Sequence, residues 1–123
     1  VKNKFENLVY ARSRLVHAGA SVGVDVIDVP YLDLENMDGM KREAQFVKDL
    51  GFTGKGSIHP KQINILNEIF TPSPEEIIKA KRIVNQFNEA NTGLVVIDGK
   101  LIEKPVLREM QRKILVADKI SKN

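Results

Sequence analysis

The segment Gly54-Lys55-Gly56-Ser57-Ile58-His59-Pro60, followed directly by Lys61-Gln62-Ile63, constrains this chain more than any other. Its glycines let backbone approach backbone where a Cβ would not fit. Pro60 has no N–H to donate, so it ends a strand and suits the first turn of a helix. Ile63, Leu66 and Ile69 are spaced by three and predict the apolar face of that helix. The whole reads as a short buried strand running into a βα turn, which is where α/β folds place their sites. His59 taken alone reads as a satisfied, half-buried histidine.

The same grammar recurs upstream. Residues 4–18 predict a helix with Phe5, Leu8, Leu15 and Ala18 near one face, and Ala18-Gly19 as its stop. Arg12 and Arg14 fall on different faces, ordinarily in solvent unless one reaches a site at the helix end. Residues 24–29 form a β-branched run before Pro30, a core strand by its composition. In the stretch that follows, Asp28, Asp33 and Glu35 admit a metal reading, since hard cations take oxygen ligands. The alternative has Asn36 or Asp33 capping the next helix and the rest in water, and the spacing favours it. Met37, Met40, Ala44, Val47 and Leu50 then mark a helix from Met37 to Leu50, with the methionines as core filler. Asn36 is its N-cap, Asp38 suits its positive end, and Gly51 terminates it.

Phe70-Thr71-Pro72 is a break, and Ser73-Pro74-Glu75-Glu76 is a capping box that opens a helix through Ile77, Ala80, Val84 and Phe87 to residue 89 or 90. Residues 93–102 predict a β-hairpin with Asp98-Gly99 at its turn. Pro105 opens a last helix bearing Leu107, Met110, Ile114 and Ala117 on one face, and Lys119, Lys122 and Asn123 read as a tail. Strands separated by helices pair in parallel. Two strands do not close a sheet, so either further chain completes it or the piece is not autonomous. Val1 to Glu6 carry neither Met nor a hydrophobic leader, which reads as a chain entered mid-way.

At 123 residues and 42% apolar content, a single core is the first expectation. No run approaches the length of a membrane span, which predicts a soluble protein. The absence of cysteine excludes disulfides and thiolate metal sites and fits a cytoplasmic home. The net charge of +3 comes from 19 basic residues interleaved with 16 acidic ones. That pattern argues against nucleic acid and suits phosphate-bearing small molecules equally well.

Five motifs in order, Tyr10–Val16, Ile27–Asp33, Gly54–Ile63, Phe70–Ile77 and Val96–Ile102, resemble the C-terminal part of the citrate lyase β subunit family, within the wider malyl-CoA lyase-like family. The resemblance spans nearly the whole chain. It implies the C-terminal part of a TIM (β/α)8 barrel, with residues 24–29 and 55–59 as its last two strands. The division it implies is 1–92 as barrel and 93–123 as lid hairpin and C-terminal helix.

By the same resemblance the reaction is retro-Claisen cleavage of a citryl thioester to an acetyl thioester and oxaloacetate. Pro30, Tyr31, Ile58, His59 and Pro60 would lie along the CoA-type carrier arm, and Asp98 would be the catalytic acid–base group. Mg2+ would be held by carboxylates upstream, so that no metal ligand is assigned here and Asp28, Asp33 and Glu35 keep their ordinary roles. The implied partners are the acyl carrier (γ) and α subunits of citrate lyase in a homo-oligomer, without nucleic acid or membrane. A malyl-CoA or citramalyl-CoA lyase, and a non-catalytic structural fragment, are the alternatives.

Overall fold

The structure is a computed structural model that describes residues 5–122. The expected helix start at residue 4, and Asn123 of the expected tail, lie outside the described residues, as does the side chain of Phe5.

Chain contacts divide it into two units, residues 1–70 and 71–123. A single core was the expectation from size. The chain builds two because each half closes its own hydrophobic cluster, Met40, Ala44, Leu66 and Ile69 in the first and Ile83, Ile97 and Ile102 in the second. The boundary after Phe70 is one of packing. The barrel and lid division expected at residue 92 falls inside the second of these units.

The first unit opens with a 3-10 turn at Phe5–Leu8 that leads into α1, Val9–Val22. The helix runs straight through Gly19, contrary to the expected stop, and ends at Gly23, whose φ of 71° supplies the left-handed cap. Gly19 is buried because a Cβ there would collide with the Val26 side chain. The expected apolar face of α1 is not its buried face. Leu8, Leu15 and Ala18 are exposed, and Arg12 and Gly19 are buried.

Strand β1 (Ile27–Asp28) pairs in parallel with β2 (Gly54–Lys55), in the register Ile27 to Gly54 and Asp28 to Lys55. The helix α2, Met37–Leu50, makes the crossover. Each strand is only two residues long, far shorter than the runs 24–29 and 55–59, since each has a single pairing partner among the described residues. Along β1 the alternation is inverted relative to a core strand: Ile27 and Val29 are each 61% exposed, and Asp28 points into the interior. Met40, Ala44 and Val47 of α2 are fully buried, as the spacing predicts. The Asn36 carboxamide accepts from the Gly39 N–H at 2.9 Å to cap the helix.

Helix α3, Pro60–Phe70, buries Leu66 and Ile69 as the spacing predicts, but its first buried position is Gln62, and Ile63 is left 47% exposed. The Lys48 ammonium donates to the Ile69 carbonyl at 2.7 Å and ties the end of α3 to α2.

In the second unit, α4 spans Pro74–Ala90 and opens on the expected capping box, with the Glu76 N–H on Ser73 Oγ at 3.1 Å and the Ser73 N–H on Glu76 Oε2 at 2.9 Å. Strands β3 (Leu94–Ile97) and β4 (Lys100–Glu103) form the antiparallel hairpin. Its turn residues Asp98 and Gly99 have φ of 51° and 73°, the left-handed pair that a two-residue turn requires. Helix α5 runs from Lys104 to Ser121, so Lys119 belongs to the helix rather than to a tail. Among the described residues no helix is long and apolar enough to cross a membrane.

Candidate functional site

The strongest concentration of chemistry in the first unit is a buried cluster of four charges, each carried by a different element. Arg12 of α1 donates to Asp28 of β1 through Nε at 2.9 Å and Nη2 at 3.0 Å, and its Nη2 also reaches Glu43 of α2 at 3.2 Å. Lys55 of β2, whose side chain is wholly buried, donates to Asp28 Oδ2 and Glu43 Oε1, both at 2.6 Å, and to the Val29 carbonyl at 2.7 Å. Two cations face two anions, so the cluster is neutral as a whole, and bidentate charge-assisted bonds of this kind fix geometry. The expectation that Asp28 is wet is therefore corrected. It sits 6% exposed because both neighbouring elements bring it a cation. The signal available in the sequence was the alternation of Asp28 with valines and isoleucine, opposite a lysine in the next strand.

The cluster lies beneath the loops that leave the two strands. Lys55 holds the Val29 carbonyl, and the Gly56 N–H donates to the Asp28 carbonyl at 2.9 Å. Pro30 then packs over Gly56, where a Cβ would fall 3.0 Å from the Pro30 ring. Tyr31 is half-buried, and its hydroxyl accepts from the Asn36 amide at 3.2 Å. A side chain at Gly39 would collide with that hydroxyl, so the glycine makes room for the ring. Asp33 accepts from the Glu35 N–H at 3.1 Å and shapes the same loop, while of the two expected caps it is Asn36 that caps α2.

In the β2 loop, Ile58 and Pro60 are exposed and His59 is half-buried. His59 Nδ1 accepts from the Lys61 N–H at 3.1 Å and its carbonyl accepts from the Gln62 N–H at 3.0 Å, so this residue starts α3. With Nδ1 accepting, the neutral ring carries its proton on Nε2. Pro30, Tyr31, Ile58 and His59 therefore stand on the two loops at the C-terminal ends of the parallel strands, and Pro60 opens the helix that follows the second. Reading the sequence assigned no role to Gln62, which joins those loops, or to Glu43 and Lys55, which underlie them, and placed Arg12 ordinarily in solvent unless it reached a site.

Asp98 belongs to the second unit. It stands exposed at the hairpin turn and is paired with Arg82 of α4, Nη1 lying 3.3 Å from Oδ1 and Nη2 close against Oδ2. The hydrogen bond from Arg82 and its charge lower the Asp98 pKa and raise that of Arg82, so the carboxylate is ionised at neutral pH. Arg82 holds it away from free rotation.

Among the described residues no three His, Cys, Asp or Glu side chains gather in a way that could hold a metal ion. Both Asp28 oxygens and Glu43 Oε1 are already committed to Arg12 and Lys55. The carboxylates of the described residues thus do not fit a Mg2+ site.

The sequence signature of the family described as HpcH/HpaI aldolase/citrate lyase matches residues 1–60. The citrate lyase subunit beta of Leuconostoc mesenteroides subsp. cremoris is 31% identical over 92% of this chain and 38% of that protein. The mitochondrial citramalyl-CoA lyase of Rattus norvegicus is 34% identical over 94% of this chain and 35% of that protein. A crystal structure of CitE from Mycobacterium tuberculosis, in complex with magnesium, acetoacetate and coenzyme A, superimposes with a TM-score of 0.70 at 26% identity, over 89% of this chain and 40% of that one. The chain thus spans well under half the length of these relatives.

Proposed function

Because this chain belongs to the HpcH/HpaI aldolase/citrate lyase family, we propose that it is the C-terminal part of a TIM (β/α)8 barrel lyase acting on a CoA-type thioester. The observation that carries this reading is the parallel pairing of β1 with β2 across α2, with both following loops gathered at one end. That is the end at which barrels build their sites, and the loops after their last two strands commonly hold phosphate. The inverted alternation of β1 supports the same reading. Ile27 and Val29 present an apolar face that the interior of a closed barrel would cover.

In this proposal Pro30, Tyr31, Ile58, His59 and Pro60 lie along the CoA arm of the substrate, and residues 93–123 are the lid that carries Asp98. Retro-Claisen cleavage of a 3-hydroxyacyl thioester removes the hydroxyl proton, breaks the adjacent carbon–carbon bond to leave a keto acid, and places the electron pair on the thioester enolate. The enolate carbon then takes a proton. Asp98 is the group proposed to accept the first proton and deliver it in the second step; Arg82 keeps it ionised and ready to accept, while lowering its basicity. No step is routed through Mg2+, since the described residues offer it no site. Its carboxylate ligands are proposed to lie outside these 123 residues.

Two substrates compete. Citryl thioester, with the acyl carrier (γ) and α subunits of citrate lyase as partners in a cytoplasmic homo-oligomer, follows from the first relative. A free malyl- or citramalyl-CoA follows with equal weight from the second, whose match is as long. Assaying the whole protein against citryl-, malyl- and citramalyl-CoA decides between them by kcat/KM. In that protein Asp98→Asn is expected to lower kcat by about 100-fold or more with little change in thioester binding. A near-normal kcat removes Asp98 from the mechanism, and no cleavage of any of the three thioesters overturns the lyase reading.

A further inference from the structure

Gln62 is fully buried, on the first turn of α3, where the expected pattern placed an apolar residue one position later. Burying a primary amide is unfavourable by a few kcal/mol unless its hydrogen bonds are made. Here they are made to two separate loops. Nε2 donates to the Tyr31 carbonyl at 2.8 Å, in the loop after β1. Oε1 accepts from the Ile58 N–H at 3.0 Å and from the Ser57 hydroxyl at 3.2 Å, in the loop after β2. Donor and acceptor of one rigid amide are therefore spent on different loops. None of the three bonds is made within α3, whose first turn is started by the His59 carbonyl and ring.

We propose that Gln62 is the positioning residue of the thioester site, setting the separation and relative orientation of the Tyr31 and Ile58 backbones between which the carrier arm lies. The assignment rests on the reading of these two loops as the arm's site. It adds that one amide spans the two loops beyond the point where the Gly56–Asp28 backbone bond and the packing of Pro30 over Gly56 tie their roots. The arm is remote from the bond that breaks, so losing its geometry weakens ground state and transition state alike and raises KM at constant kcat.

The test uses the whole protein, with coenzyme A as the calorimetric probe and the preferred thioester as substrate. Gln62→Met keeps the volume and removes all three hydrogen bonds. CoA binding is expected to weaken, and KM to rise, by about tenfold or more, with kcat within about twofold. Gln62→Glu supplies the second arm. When protonated its carboxyl can still donate to the Tyr31 carbonyl, and when ionised it cannot. CoA binding by this variant should therefore be near that of the parent at acid pH and weaken as the carboxyl ionises, a step the parent lacks.

A merely structural role would lower the melting temperature of Gln62→Met but leave CoA affinity unchanged in the folded fraction, and that result overturns the inference. If Gln62→Met does not fold, a pH-independent affinity in Gln62→Glu overturns it equally. Failure of the parent itself to bind CoA would instead sink the underlying reading of the loops.

Discussion

Replacing Lys55 by Met probes the charge cluster at its centre. The Lys55 side chain is wholly buried and its ammonium serves three acceptors, Asp28 and Glu43 at 2.6 Å and the Val29 carbonyl at 2.7 Å. Methionine fills nearly the same volume, so the cavity contribution is small. What changes is charge. Two cations against two anions become one cation, Arg12, against two carboxylates, and the cluster goes from neutral to a net −1 among buried groups. Removing one partner from a buried ion pair is destabilising by about 3–5 kcal/mol, because the remaining charge is left without compensation.

The assay is urea unfolding of the whole protein followed by far-UV circular dichroism, with the change read from the midpoint and slope. The double variant Lys55→Met with Glu43→Gln restores neutrality around the surviving Arg12–Asp28 pair. It should stand closer to the parent than the sum of the single changes by about 1–3 kcal/mol. If Lys55→Met is destabilising by less than about 1 kcal/mol, or the two changes simply add, the cluster is not a coupled unit and the argument fails.

Two further outcomes follow from the second unit. Because the Arg82 hydrogen bond lowers the Asp98 pKa, the stabilisation from this pair is fully present above the unfolded pKa and is lost as pH falls through the lower folded one. Arg82→Gln should move the Asp98 titration, followed by carboxyl carbon NMR shifts, upward toward the ordinary aspartate value; an unmoved midpoint refutes the assignment of cause. Ser73→Ala removes the side-chain acceptor of the capping box and should be destabilising by about 1 kcal/mol, whereas Ser73→Gly should be milder than alanine. Equal stability of Ser73→Ala and parent would show that the box is not stabilising α4.

Several elements were legible because their signals are local. The capping box at Ser73–Glu76, the Asp98-Gly99 turn and the α2 stripe from Met37 to Leu50 each lie within one or two helical turns or one hairpin, and all three appear as expected. The C-terminal stripe Leu107, Met110, Ile114 and Ala117 is likewise half-buried throughout. The failures are as instructive. Gly19 looked like a stop and is a site of close approach to Val26, since periodicity alone does not reveal which neighbour arrives on which face. On α3 Leu66 and Ile69 are buried as expected, but in the first turn Gln62 takes the place of Ile63, an apolar position exchanged for the amide that joins the two loops.

The sequence by itself determined where helices begin and end in most of the chain, that its two early strands run parallel, and which family it resembles. Those properties follow from backbone sterics, capping and the periodicity of neighbours. Only the tertiary structure decided that Arg12, Asp28, Glu43 and Lys55 are one buried object, because they come from four elements and are separated by 12 to 31 positions along the pairs that touch. It alone decided, too, that the apolar residues of β1 face outward while its aspartate faces in. A charge is read as wet until a partner of opposite sign is brought to it, and bringing it is what folding does.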